Sequence, residues 1–290
     1  MFVPRKILEE KLRQILADDI GLGDVTAQTV IPANLIAEAV VVAKEEGVAA
    51  GIEEATVLAE SLDLKVKAKV VDGEKIKNKQ VLMEISGDAR TILSAERTIL
   101  NIVSRMSGIA TATRTLTEKL QNAGFKAKIA ATRKSAPGLL YFDKRAVVIG
   151  GGDPHRLHLD DMVLIKDNHV AIVGSPEEAV KKARANVSFT KKIEVEVTKV
   201  SDVLKVAQAG ADAVMLDNFS IEQVKEAADL LEKAGFLGKV VLEASGGITA
   251  EDILDYAAAK VDVISIGHLT HSVKALDASL EIVQTHVKSA

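Results

Sequence analysis

Cysteine is absent from all 290 residues. That excludes disulfides, thiolate zinc sites and a cysteine nucleophile. It suits a cytoplasmic protein and is also common in heat-adapted ones. Tryptophan is absent as well, and aromatics make up only 3% of the chain. With 48% hydrophobic residues, the core must therefore be aliphatic, built from Val, Ile, Leu and Ala. No apolar run approaches the ~18–20 residues that a membrane span needs. Residues 1–8 are a short polar and apolar mixture without the apolar centre of a signal peptide. A soluble, cytoplasmic protein with no membrane partner is expected. Net charge is small, at −4, so no broad cationic surface for nucleic acid is expected. Phosphate-loop fingerprints are missing too. Gly150, Gly151 and Gly152 lack the Rossmann spacing, and no Lys-Ser or Lys-Thr follows them.

What is present is a local cationic cluster. Residues 131–170 read A-T-R-K-S-A-P-G, then G-G-G-D-P-H-R, then L-I-K-D-N-H-V. They gather Arg133, Lys134, His155, Arg156, Lys166 and His169, each beside a turn signal or a strand end. Such a cluster in a slightly acidic chain points to a pocket for a small anion.

The periodicity divides the chain. Residues 4–17 form an amphipathic helix pattern, with Ile7, Leu8, Leu12, Ile15 and Leu16 on one face. A Gly-rich turn follows at 21–26. Strand patterns lie at 35–44, 64–71 and 80–86, with a helix at 52–61 between the first two. Residues 89–122 read as one long helix, or two broken near Ser107 and Gly108. This predicts an N-terminal α+β open sandwich domain over residues 1–115 with a mostly antiparallel sheet. From 128 onward β-rich runs alternate with helical ones. Strands are predicted at 128–133, 162–167, 192–198, 213–217, 239–244 and 261–267. Helices are predicted at 138–149, 176–186, 200–209, 220–234, 250–259 and 273–287. The repeat predicts an incomplete parallel α/β barrel of about six strands over 116–272. The last helix, about 273–290, is expected to pack back on the first domain. An open doubly wound sheet is the competing architecture.

In a barrel the chemistry sits at the C-terminal ends of the strands. Those ends carry Arg133 and Lys134, then Lys166 to His169, then Glu194 and Glu196. Next come Asp217 and Asn218, then Glu243 to Gly247, then Gly267 and His268. One rim would have a cationic half and an acidic, glycine-rich half. Glu196 and Asp217 suit a Mg²⁺ ion carried by a phosphorylated substrate. The Ser245-Gly246-Gly247 turn, read as opening a helix, offers bare amides to a phosphate, and Gly267 can do the same. The cationic half suits a planar carboxylate, which arginine grips through two bonds.

Each feature has a plainer reading. A strand-end charge is often only a solvated loop residue, functional roughly one time in three. Arg97 and Arg105 read as a solvated helix face. A Ser-Gly-Gly turn before a helix is often just a cap. His155-x-x-His158 and His268-x-x-His271 lack a suitably spaced third ligand, so zinc stands at roughly one in ten. Lys166 at a strand end could serve as a Schiff-base lysine, which keeps a lyase or aldolase reading open. The case for function rests on the whole set falling on one rim.

The motifs carry a resemblance. They are T-R-K-x-x-P-G at 132–138, G-G-G-x-x-H-R-L-x-L at 150–159 and L-I-K-D-N-H at 164–169. With them stand E-V-E-V at 194–197, M-L-D-N at 215–218, L-E-A-S-G-G-I at 242–248 and S-I-G-x-L-T-H-S at 265–272. Upstream are G-x-G-D-V-T at 21–26, E-R-T-x-L-N at 96–101 and M-S-G-I-A-T at 106–111. Together they resemble the nicotinate-nucleotide pyrophosphorylases (carboxylating), or quinolinate phosphoribosyltransferases, over nearly the whole chain. The resemblance implies a pentosyltransferase: quinolinate and phosphoribosyl pyrophosphate (PRPP) give nicotinate mononucleotide, pyrophosphate and CO₂, with Mg²⁺, in NAD biosynthesis. It implies a homodimer with shared sites, or a hexamer as a trimer of such dimers. By motif match, Arg97 reaches into the neighbour's site, and Arg133, His155 and Arg156 hold the quinolinate carboxylates. Lys134 and Lys166 lie between the two substrates. Glu196 and Asp217 hold the ribose and the Mg–PRPP end; Ser245, Gly246, Gly247, Gly267 and His271 hold the 5′-phosphate end. Lys134, Lys166, Glu196 and Asp217 are the expected catalytic set. Departures flank the site: Ala131 stands where Asp is frequent, Ser135 where Thr is common, and Tyr141-Phe142-Asp143 follows the loop where a basic residue is often found. A molybdenum-transport-associated paralogue without catalysis shares the architecture and is the third reading. It needs no ribose-binding carboxylates, which this chain retains.

Overall fold

A computed structural model describes residues 3–287. The chain divides into two compact units. The first comprises the residues up to Ala112, Arg145–Gly151 and the chain from Val273 onward; the second comprises Thr113–Lys144 and Gly152–Ser272.

In the first unit, α1 (Arg5–Ile20) buries Leu8, Leu12 and Leu16, which fall one turn apart on one face. α2 (Val25–Val30) starts at Asp24, whose carboxylate accepts the Ala27 amide. β1 (Leu35–Ala43), a short β2 (Gly47–Val48), α3 (Ile52–Glu60), β3 (Lys65–Ala68), β4 (Lys75–Ile76) and β5 (Val81–Asp88) follow. α4 (Ala89–Asn122), which belongs to this unit as far as Ala112 and to the second from Thr113, runs unbroken through Ser107 and Gly108, so the long-helix alternative is the one observed. Gly108 is needed there for space, because a Cβ would lie 2.1 Å from the Lys274 carbonyl oxygen.

The second unit alternates strand and helix. It contains β6 (Lys128–Ala130), the first half of α5 (Leu140–Ile149, which passes into the first unit from Arg145), β7 (Val163–Ile165), α6 (Asp167–Val173) and α7 (Pro176–Asn186). These are followed by β8 (Ile193–Val197), α8 (Val200–Gln208), β9 (Ala213–Asp217) and α9 (Ile221–Lys233). β10 (Val241–Ser245), α10 (Ile253–Ala258), β11 (Val263–Ser265) and the short α11 (His268–His271) complete it. The sheet order is β6-β11-β10-β9-β8-β7, and every pairing is parallel. The strands wind in one direction and β6 closes beside the last of them. A doubly wound sheet would reverse at a switch point, so the barrel reading is the one the topology supports. The ring stays open between β6 and β7.

One expected element is wrong. Residues 273–287 do not form a helix. β12 (Ala278–Val287) pairs antiparallel with β1, from Ala43–Ala278 to Leu35–Val287, in the four-stranded order β12-β1-β5-β3. Residues 288–290 lie outside the described residues. Leu276, Leu280, Val283 and Val287 mimic helical spacing, but Ile282, Val283, Thr285 and Val287 are β-branched, and the open edge of β1 decides. A register shift opposite Glu38 and Ala39 leaves Val283 unpaired, which breaks the period-2 alternation that would have marked a strand.

The strand β8 shows how the barrel sets up its site. Ile193, Val195 and Val197 are buried in the aliphatic cluster with residues of the surrounding helices. Alternation then turns Glu194 and Glu196 to the other face, toward the barrel interior. Cross-strand register places Glu196 beside Met215 and Met215 beside Glu243, one layer of inward side chains. Asp217 and Ser245 lie one inward step further along β9 and β10, and Lys166, just past the end of β7, stands level with Glu196.

Candidate active site

A cavity of about 480 Å³ opens where these strands end. Nine of the expected residues line it: Arg133, Lys134, His155, Arg156 and Lys166 on the cationic side, Glu196, Asp217, Ser245 and Gly246 on the other. Arg97 lies on α4 in the first unit and is not among the lining residues. Gly247, Gly267 and His271 do not line the cavity either. Gly267 sits against the rings and stems around it: a Cβ there would be 3.2 Å from the His271 ring and 3.5 Å from Lys134 Cδ. Thr270 Oγ1 donates to the Lys134 carbonyl oxygen at 2.7 Å, so the α11 turn and the Lys134 loop are tied together.

The cationic side is crowded with like charge. Burial, and after it the neighbouring Arg133, push the Arg156 guanidinium below its ordinary range. Arg156 is 9% exposed, and its Nε has no hydrogen-bond partner. A buried, under-satisfied guanidinium next to a second one is a site short of an anion.

His155 is engaged on both nitrogens. Its Nδ1 accepts the Arg156 amide at 2.8 Å, and its Nε2 lies 3.2 Å from both Glu194 and Glu243. These carboxylates are 1% and 2% exposed. Burial alone would hold the imidazole down, but hydrogen bonds to Glu194 and Glu243 outweigh it and raise it to about 10. Burial also pushes the Glu194 carboxyl up to about 7. An extra proton thus stays within the cluster of His155, Glu194 and Glu243. The Arg156 amide at Nδ1 leaves that proton on the Nε2 and carboxyl side. Among the described residues these three are the one group close enough to hold a metal ion. The tautomer argues against it, because a ligating Nε2 cannot carry hydrogen.

Lys166 pairs through Nζ with Glu196. That ion pair engages the amine, whereas a Schiff-base lysine stands in an apolar surrounding or beside another cation. Asp217 accepts a hydrogen bond from Asn218 Nδ2 at 2.8 Å. Asn218 adopts φ +56° and donates its amide to the Ser245 carbonyl oxygen at 2.9 Å. This explains Gly246, whose Cβ would stand 2.4 Å from Asn218 Oδ1 and 2.7 Å from its amide nitrogen. One expectation fails in detail: the turn after Ser245 does not open a helix. α10 begins only at Ile253, so any phosphate there would meet loop amides and not a helix end.

Thr132, Leu164, Met215, Asn218, Glu243 and Ser265 also line the cavity and had no assigned role. The strand-end positions of Glu194 and Glu243 were visible in the sequence, but not that a histidine from another loop lies on them.

This arrangement belongs to a defined class: an α/β-barrel site with a dicationic pocket facing paired carboxylates. Family models agree. The quinolinate phosphoribosyl transferase N-terminal domain matches residues 24–107, and its C-terminal domain matches 109–281. The chain belongs to the quinolinate phosphoribosyl transferase family. It is 48% identical over 262 residues to a probable nicotinate-nucleotide pyrophosphorylase (carboxylating) of Archaeoglobus fulgidus, covering 90% of this chain and 99% of that one. It is 44% identical over 271 residues to the protein of that name from Methanothermobacter thermautotrophicus, covering 93% and 97%. The solved nicotinate-nucleotide pyrophosphorylase of Francisella tularensis superposes with a TM-score of 0.87 at 38% identity, covering 97% and 98%.

Proposed function

We propose that this chain transfers phosphoribose from PRPP to quinolinate, with decarboxylation, to give nicotinate mononucleotide, pyrophosphate and CO₂. The observation that carries it is one cavity with two chemically opposite halves: Arg133 and Arg156 on one side, Glu196 and Asp217 on the other. The pyridine nitrogen attacks the ribose C1, and the bond from C1 to the pyrophosphate oxygen breaks. Glu196 and Asp217 stabilise the positive charge that develops on the ribose. Loss of the ring 2-carboxylate as CO₂ leaves an electron pair at that carbon, which takes up a proton. Arg133, Arg156 and the Lys166 ammonium hold the ring and offset the negative charge. The work is mainly positioning and electrostatics.

Mg²⁺ fits the donor set when the substrate carries it. Two cavity-lining carboxylates, each already held by Lys166 or Asn218, match an ion that keeps phosphate oxygens and water. Glu196 and Asp217 would hold it, and it would neutralise the leaving pyrophosphate. Arg97 of a second copy would complete the cationic half in a homodimer, or in a hexamer built as a trimer of dimers. The motif match at residues 96–101 supports that reading. A cytoplasmic setting suits the cysteine-free composition. Among the described residues no helix is long and apolar enough to cross a membrane.

The test is turnover with quinolinate and with nicotinate as acceptors, each with PRPP and Mg²⁺. Nicotinate mononucleotide with CO₂ release from quinolinate alone is expected. Turnover of nicotinate only would overturn the reading. Borohydride trapping of Lys166 with a carbonyl substrate would favour the lyase alternative instead.

A further inference from the structure

A single buried side chain joins the two cationic loops. β6 and the segment at 152–153 run parallel for a short stretch: Asp153 N–H donates to the Ile129 carbonyl oxygen at 2.8 Å, and Ala131 N–H donates to the Asp153 carbonyl oxygen at 3.1 Å. The next rung of a parallel ladder would send the His155 amide to the Ala131 carbonyl oxygen. It does not. His155 adopts φ +52°, and its amide donates instead to Asp153 Oδ1 at 2.8 Å. That departure turns His155 and Arg156 toward the cavity. It also leaves the Ala131 carbonyl oxygen without its rung.

Lys144, on α5, takes the vacated place. Its Nζ donates to the Ala131 carbonyl oxygen at 2.9 Å and also to the Pro154 carbonyl oxygen. The residue is 0% exposed. Ala131 immediately precedes Thr132-Arg133-Lys134, and Pro154 immediately precedes His155-Arg156. One ammonium therefore grips the backbone at the root of both loops that present the paired arginines. We infer that Lys144 is a positioning residue for the dicarboxylate half of the site, fixing the separation of Arg133 from Arg156. The inference rests on the proposed function. A methylene chain ending in one tetrahedral donor can bridge two carbonyls that no main-chain amide reaches. A fully buried lysine is rare without such partners. Burial lowers the Lys144 amine to about 8, with Arg133 and Arg156 acting in the same direction and Asp153 and Glu243 opposing them.

A buried lysine that only satisfied two carbonyls would lower stability when lost and affect both substrates alike. A positioning role predicts a split. Lys144→Met should raise the quinolinate KM and Kd by roughly 10–100-fold, with the PRPP Kd within about twofold and kcat within about threefold. Lys144→Arg, which keeps charged donors, should recover part of the loss. Should Lys144→Met not fold, Asp153→Ala carries the test. It releases the His155 amide from a partly exposed side chain and should show the same selective loss. Unchanged quinolinate affinity in the folded variant, or equal loss of both substrates, would overturn the inference. Failure of the unmodified protein to bind quinolinate would instead refute the proposed function, and the inference with it.

Discussion

The two halves of the cavity are built in different ways. On the acidic half, Glu196, Asp217 and Ser245 stand on β8, β9 and β10; Asp217 and Ser245 are register partners, and Glu196 lies one inward step earlier, opposite Met215. Their placement follows from alternation along each strand, and apart from the glycines at 246 and 247 only Asn218 departs into positive φ. On the cationic half, Arg133, Lys134, His155 and Arg156 all lie outside regular strands. They depend on His155 in a left-handed conformation, on Glu194 and Glu243 at its Nε2, and on Lys144 between the loops. Strand geometry places charge cheaply and in order. Loops can bring like charges together, but only with buried partners to hold them.

The largest break in this contrast should come from the cationic half. Arg156→Ala removes a buried guanidinium from beside Arg133, and should cost about 2–5 kcal/mol of quinolinate binding, read by calorimetry. PRPP binding should stay within about twofold, because its side rests on the strand ends. A smaller effect is expected from backbone strain on the acidic half. Gly246→Ala combines φ +97° with a Cβ contact of 2.4 Å at Asn218. It should weaken PRPP binding by about 1–3 kcal/mol and leave quinolinate binding nearly intact.

The smallest effect on binding is expected from Glu54 in the first unit. It is fully buried beside Arg145, which also meets Asp72. Burial pushes its carboxyl up to about 7, against the pull of Arg145. The folded chain therefore holds a proton that the unfolded chain releases above 4.5. The stabilisation is present below 4.5 and is lost as pH rises through about 7. The swing is on the order of 3 kcal/mol. Glu54→Gln should flatten that part of the stability profile in denaturant titrations while both substrates bind as before.

The same contrast decides what could be read from sequence. β-rich runs between turn signals located every barrel strand to within a few residues, because aliphatic alternation dominates there. Listing strand ends then reached Glu196 and Asp217 directly. It also reached Glu194 and Glu243, but not their contact with His155, which depends on a loop φ that no periodicity encodes. Lys144 was invisible for the same reason: it sits mid-helix, where a lysine normally reads as solvated. The terminal strand β12 was misread because its leucine and valine spacing imitates a helix and its partner, β1, lies far away in sequence. Gly246 was assigned to phosphate, yet its clearest necessity is the close approach of Asn218.

The central claim is that the halves bind different substrates. It is tested most directly by measuring quinolinate and PRPP affinity separately on Arg133→Ala and on Asp217→Asn. A crossed result is predicted: Arg133→Ala loses quinolinate and keeps PRPP, and Asp217→Asn weakens Mg–PRPP and keeps quinolinate. Normal quinolinate affinity in Arg133→Ala, or parallel loss of both ligands in both variants, would contradict it.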